Sequence, residues 1–289
     1  MRRALLLGVL LAGTAGAAPV RVVTTFSILA DLVQNVGGDR VSLANLVPPG
    51  GDTHTYEPST GDIRTVADAQ VVFENGAGLE SWFVKLRPSA QNARLVLLSD
   101  GLKKQSFVED GQTVTDPHLW WNPENVVAYV GKIRDTLTQL DPAGRALYAS
   151  NAARYVAQVR AADAAAKQVI ATLPTANRKL VTNHDALGYF ARHYGFMVVG
   201  EVIPSLGTEQ EPSAQDTVKL IQAIRAQRVR AIFTENVINN KLAQTISAET
   251  GVKVAPTLFT DALGPKGSAG DTYLKALKYN VATIVKALK

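Results

Sequence analysis

Past residue 18 the chain alternates short β-branched runs with longer stretches whose apolar residues recur every three or four positions. The first kind reads as buried strands, the second as amphipathic helices. The pattern predicts strands at Val20–Thr24, Val41–Leu46, Val71–Glu74, Leu95–Leu98, Leu180–Thr182, Phe196–Glu201, Ala231–Thr234 and Val252–Pro256. It predicts helices at Ile28–Val36, Glu124–Leu140, Ala186–Tyr194, Ala214–Ala226, Lys241–Glu249 and Tyr273–Leu288. Such alternation defines an α/β fold with mainly parallel sheets flanked by helices.

The middle of the chain organises the rest. From Pro142 to Leu173 there is no further proline, and no glycine after Gly144. Tyr148, Ala152, Tyr155, Val159, Ala162, Ala166, Val169 and Leu173 follow at alternating spacings of four and three. That is one apolar stripe along a long helix. Asp141 is the expected N-cap, with Pro142 at the first helical position. A coiled coil would need a longer heptad run and less alanine. A rigid helix bridging two lobes explains the stripe better, because strands divide about equally on either side of it. The expected organisation is an N-terminal lobe over 19–140, a linking helix over 141–173 and a C-terminal lobe over 174–289.

Residues 1–18 read as a secretory signal. Arg2 and Arg3 precede the apolar run Ala4 to Ala12, and Ala15-Gly16-Ala17 offers a small-residue cleavage site. Leu11-Ala12-Gly13-Thr14 resembles a lipoprotein processing site with threonine in place of the lipidated cysteine, and the chain has no cysteine to acylate. An ordinary signal is the preferred reading, so the mature chain is expected to be periplasmic or extracellular. Without disulfides its stability rests on its core. Roughly 270 residues suffice for two such cores. Arg2 and Arg3 are two of 30 Lys and Arg against 25 Asp and Glu, so the mature chain is only weakly basic. No basic run carries interleaved aromatics, which argues against nucleic acid as a partner.

Three of the four histidines sit in distinctive contexts: Thr53-His54-Thr55-Tyr56-Glu57-Pro58, Asp116-Pro117-His118-Leu119-Trp120 and Thr182-Asn183-His184-Asp185. Asp261 follows in Phe259-Thr260-Asp261-Ala262. Three neutral imidazoles and a carboxylate complete a four-coordinate shell for a borderline-soft divalent cation. His54, His184 and Asp261 are expected beyond the carboxyl ends of predicted strands, where open α/β sheets bind ligands. Two candidates lie in each predicted lobe, so the ion is expected between lobes. Asp116 and Asp185 are candidates for fixing imidazole tautomers. Glu57 and Asp62 either do likewise or cap the helix beginning near Gly61. Glu235 is read as supporting a ligand rather than binding metal. His193, mid-helix, is read as a surface residue and not a ligand. Trp120 and Trp121 are expected to pack the floor between lobes.

Several segments resemble a known family: His54-Thr-Tyr-Glu-Pro-Ser-Thr-Gly-Asp62, Glu74-Asn-Gly-Ala-Gly-Leu-Glu-Ser-Trp82, Asp116-Pro-His-Leu-Trp-Trp-Asn-Pro123, His184-Asp-Ala-Leu-Gly-Tyr-Phe-Ala-Arg192 and Glu211-Pro-Ser213. They are similar to the metal-binding solute receptors of bacterial ABC importers for zinc and manganese (cluster A-I, solute-binding family 9). The resemblance implies two α/β lobes, one rigid helix, an ion bound between the lobes and delivery to a membrane permease. By matching motifs it carries the metal-ligand role to His54, His118, His184 and Asp261. Zinc receptors of the family often bear a His-rich loop before the second ligand, whereas Asp100 to Thr115 has no histidine here. Manganese receptors tend to have glutamate at the third position, where this chain has His184. Ligand softness favours zinc, with manganese second.

Other functions make different demands. A secreted metallohydrolase needs an open coordination position and a general base, and neither His-Glu-x-x-His nor Gly-x-Ser-x-Gly occurs. A metal-stabilised adhesin would unfold on chelation, whereas a receptor refills. A receptor for an organic solute would show an aromatic-lined cleft with a charged clamp. The expected protein is a monomeric receptor and not an enzyme.

Overall fold

The computed structural model describes residues 18–109 and 111–289. The expected leader and Thr14 lie outside these residues. The first sheet grows from β1 (Val20–Phe26), whose side chains are buried on both faces apart from Arg21. A strand covered on both faces belongs in the middle of a parallel sheet. β2 (Val41–Val47), β3 (Val71–Glu74) and β4 (Arg94–Leu97) join it in the order β2-β1-β3-β4, every pair parallel. Helices α1 (Ser27–Gly37), α2 (Thr60–Ala67) and α3 (Pro123–Leu140) accompany this sheet. Ser59 and Asp62 form a capping box on α2, and Tyr56 Oη donates to Asp62 at 2.9 Å. Asp62 therefore caps a helix, and Glu57 is exposed.

A hairpin that the strand reading misses follows β4. β5 (Ser106–Glu109) and β6 (Gln112–Thr115) pair antiparallel with Glu109 opposite Gln112. The Asp110-Gly111 dipeptide, flanked by Phe107-Val108 and Thr113-Val114-Thr115, was the signal for it.

The linking helix is α4 (Arg145–Ala171), whose 27 residues span roughly 40 Å. It packs on α1 and α3, and on the C-terminal helix α8 introduced below. Its start differs from expectation. Pro142–Gly144 forms a 3-10 turn, and no side chain caps α4. Asp141 instead accepts two bonds of 2.7 Å from Arg40 and one of 2.7 Å from Tyr148. The Arg40 guanidinium holds the Asp141 carboxyl down at about 2. The apolar stripe also drifts. Tyr148 to Val159 are buried as predicted, but Val169 is 41% exposed and Asp163 and Ile170 are buried. A strict seven-residue repeat slips about 20° per heptad on a straight helix, enough to swing Val169 outward after three heptads.

The second half repeats the plan of the first. β7 (Lys179–Thr182) pairs parallel with β8 (Met197–Glu201), and β9 (Ala231–Ile232) with β10 (Lys253–Val254). The Phe233 N–H donates to Val181 O at 2.8 Å and joins the two pairs in the order β8-β7-β9-β10. This matches β2-β1-β3-β4 strand for strand, although no sequence repeat is visible. α5 (Gly188–Tyr194), α6 (Ala214–Gln227), α7 (Lys241–Thr250) and α8 (Tyr273–Leu288) complete the lobe. β10 stops short of the predicted Pro256 because proline has no N–H for the ladder. Pairing resumes beyond it at a bridge between Glu235 and Leu258.

Trp120 and Trp121 do form a floor between lobes. Both are buried, and both indole N–H groups donate to Thr260 O across the halves, at 3.1 and 3.2 Å. Tyr273 Oη returns a bond of 2.9 Å to Trp120 O. Leu263 N–H donates to Ser27 Oγ and Gly50 N–H to Leu263 O, each at 2.9 Å. Among the described residues no helix is long and apolar enough to cross a membrane.

Candidate metal centre

His54 lies on the loop leaving β2. Pro48 and Pro49 stiffen that loop and Gly50, at φ 79°, turns it. Asp52 shapes its last step by accepting the His54 N–H at 2.9 Å and the Thr55 hydroxyl at 2.9 Å. Thr208 of the other lobe also donates to this carboxylate. His118 repeats the device. The His118 N–H donates to Asp116 Oδ1 at 2.9 Å, two residues back. Asp-x-His thus occurs twice, and the repeated tripeptide was a readable signal for Asp52 that sequence reasoning passed over. Asp116 has a second role, as expected: its Oδ1 lies 2.8 Å from His118 Nδ1, which leaves Nε2 free to face inward.

His184 follows β7 directly, but no helix opens there. α5 begins four residues later, and the backbone between is tied to distant acceptors at two places. The His184 N–H goes to Glu235 Oε1 at 2.9 Å, and the Asp185 N–H to Ser205 O at 3.0 Å. Glu235 Oε2 also stands 2.6 Å from His184 Nδ1, at ion-pair distance though off the line of a hydrogen bond. Thr260 Oγ1 braces the same oxygen at 2.9 Å. Glu235 therefore does for His184 what Asp185 was expected to do. Asp185 sits beside Asp116 instead, where burial, then that neighbouring carboxylate, push it up to about 6. Gly188 is needed at this place: a Cβ there would meet Asp116 Oδ2 at 2.9 Å.

The four candidates converge. One donor atom from each of His54, His118, His184 and Asp261 lies within 4.8 Å of all the others. His118 Nε2 is 3.4 Å from His54 Nε2. Asp261 oxygens lie 3.4 Å from His54 Nε2, 3.5 Å from His118 Nε2 and 3.0 Å from His184 Nε2. A tetrahedron with metal–nitrogen bonds of about 2.0–2.1 Å has edges of about 3.3–3.4 Å. These four separations are close to coordination spacing, and all four donors fall within 4.8 Å of one another. His184 Nε2 and both Asp261 oxygens are buried without a hydrogen-bond partner among the described residues. Such orphaned atoms are costly unless something binds them.

The charges complement one another. Burial alone would lower the His184 pKa, but Glu235 and Asp261 together raise it well above its ordinary value. Burial would raise Asp261, but His184 and His118 hold it well below the carboxylate range. Three of the four side chains are fully buried, and His54 keeps 8% of its surface exposed. A cavity of ≈ 500 Å³ adjoins His54, bordered by Gly78, Lys104, Pro117, Leu206 and Glu209. His193 is elsewhere. It is partly buried rather than a surface residue, and its Nε2 lies 2.8 Å from Asp163 Oδ1 on the linking helix.

Two lobes of like topology, bridged by one helix and meeting at their strand ends, define a solute receptor of the two-lobed class. The family described as "ZnuA: Zinc-uptake complex component A periplasmic" matches residues 22–287, and the chain belongs to it. It is 34% identical over 270 residues to the manganese-binding lipoprotein MntA of Halalkalibacterium halodurans, covering 93% of this chain and 88% of that protein. It is 32% identical over 279 residues to the manganese ABC transporter substrate-binding lipoprotein PsaA of Streptococcus pneumoniae, covering 93% and 89%. Among solved structures, the periplasmic zinc binding protein TroA from Treponema pallidum superposes with a TM-score of 0.88 at 30% identity, covering 94% of this chain and 99% of that one. The Mn-bound periplasmic metal binding protein from candidatus liberibacter asiaticus gives 0.84 at 26% identity, covering 93% and 100%. The chain is therefore the substrate-binding component of a metal ABC transporter, which works with a membrane permease, and not an enzyme.

Proposed function

We propose that this chain captures one divalent transition-metal ion outside the cytoplasm, zinc in preference to manganese, and hands it to the permease. His54, His118 and His184 bind through Nε2, and Asp261 through a carboxylate oxygen. The observation that carries this reading is the set of donor-to-donor distances of 3.0–3.5 Å. Three nitrogen donors with one carboxylate suit zinc; manganese prefers more oxygen and a higher coordination number. Manganese stands second because relatives are named for it and because Asp261 has two oxygens to offer.

One ion should bind per chain and stabilise the fold by about 4 kcal/mol at a thousandfold excess over Kd. Calorimetry on chelator-stripped protein checks both. The stripped protein should remain folded and refill, as a receptor must. No binding, two equal sites, or unfolding on chelation would refute the reading.

A further inference from the structure

Four residues that give no donor atom to the pocket share one habit: an N–H of each holds the carbonyl immediately before a ligand. Trp82 Nε1–H donates to Thr53 O at 2.7 Å, ahead of His54. Asn75 Nδ2–H donates to Pro117 O at 2.8 Å, ahead of His118. Trp120 and Trp121 donate to Thr260 O at 3.1 and 3.2 Å, ahead of Asp261. That carbonyl belongs to the peptide plane carrying the ligand's own nitrogen. Fixing it fixes the plane, and so narrows the direction in which the ligand side chain leaves the backbone.

The donors are themselves held. Asn75 Oδ1 accepts from Tyr129 Oη at 2.6 Å, which turns the amide NH2 toward Pro117. The buried Glu80 carboxylate accepts the Asn75 N–H at 2.7 Å, the Gly76 N–H at 3.0 Å and the Thr25 hydroxyl at 2.7 Å. The Trp82 ring packs edge-on against Tyr56, two residues past His54, at 4.9 Å. None of the four donors is more than 5% exposed. Buried indoles and amides need some acceptor. Need alone does not explain why all four choose the residue before a ligand. Nor does it explain why the segment from Asn75 to Trp82 reaches both ligand loops of the first lobe.

We propose that Asn75, Trp82, Trp120 and Trp121 are positioning residues that hold the ligand loops at metal spacing. The proposal rests on reading His54, His118, His184 and Asp261 as the ligands. Trp82→Phe removes the N–H and keeps a ring against Tyr56; Asn75→Ala removes the amide. Each should weaken zinc binding about tenfold or more in competition with a chromophoric chelator. Each should also shift and weaken the visible bands of the cobalt-substituted protein, which report coordination geometry. If both variants fold and show wild-type affinity and cobalt spectra, with only apo thermal stability lowered, the residues are merely structural and the proposal is wrong. Should Asn75→Ala fail to fold, Tyr129→Phe replaces it: losing the hydroxyl that orients Asn75 should give a smaller loss in the same direction, and no change counts against the proposal. Wild type and His54→Ala run alongside. If wild type binds no zinc, the ligand reading falls and takes this proposal with it. If wild type binds, His54→Ala does not, and Trp82→Phe matches wild type, this proposal alone fails.

Discussion

Replacing His184 by alanine is expected to weaken metal binding at least about 100-fold, because partners that only orient ligands already cost 10–100-fold when removed. His184 Nε2 is the nitrogen nearest Asp261, at 3.0 Å, and both are fully buried. Its loss leaves three donors and an unbalanced carboxylate in the interior. His54→Ala and His118→Ala should also weaken binding by well over tenfold. The far-UV spectrum should stay near wild type in all three, since none of these side chains lies within a helix or strand. His193→Ala should leave affinity unchanged. Its imidazole pairs with Asp163 between α5 and α4, so any effect should appear in thermal stability instead. Competition titrations on the four variants decide it: binding that survives His184→Ala and disappears in His193→Ala would assign the site wrongly.

Affinity is expected to fall by at least about 100-fold as pH drops from ~7 to ~5, through proton competition at imidazole. The sign follows from the two shifts. Glu235 and Asp261 raise His184 well above the usual imidazole range, so protons compete with metal for its Nε2. Asp261 is depressed, so it stays anionic across this range and releases none. One proton per ion gives about a decade per pH unit. Binding should also keep strengthening above pH ~7, until the raised His184 value is passed. In the metal-free fold the same shifts contribute stability from opposite sides. The His184 contribution is complete below about 6.5 and is lost as pH rises through its raised value. The Asp261 contribution is complete above about 3.9 and is lost as pH falls through its depressed one. Calorimetry in buffers of different ionisation enthalpy counts the protons directly. A flat affinity from pH 5 to 7 would exclude a three-imidazole shell.

The four residues that converge were legible as candidates because their chemistry is scarce. Four histidines are few enough to weigh one by one, and strand-end placement selected among them. Most strands and helices were legible for a related reason: parallel strands buried on both faces leave continuous apolar runs. What failed had long-range causes. Asp141 looks like an N-cap locally, but Arg40 claims it from about a hundred residues away. Asp185 adjoins His184 in sequence, yet Glu235, from another strand end, reaches the ring. Val169 obeys the heptad but not the 3.6-residue turn of a straight helix. The matching strand order of the two lobes could not be read, because it lies in hydrogen-bond topology and leaves no sequence repeat.

The one exposed edge of the pocket has a kinetic consequence. Of the four proposed ligands, three are sealed in and His54 alone borders open space. With an ion held as proposed, an incoming water, chelator or permease group would meet it on that side. Exchange should therefore begin with His54 leaving, while the other three donors keep their grip. The affinity lost on replacing His54 should then appear chiefly as a faster off-rate. Residence time can be shortened at one loop without dismantling the remainder of the shell.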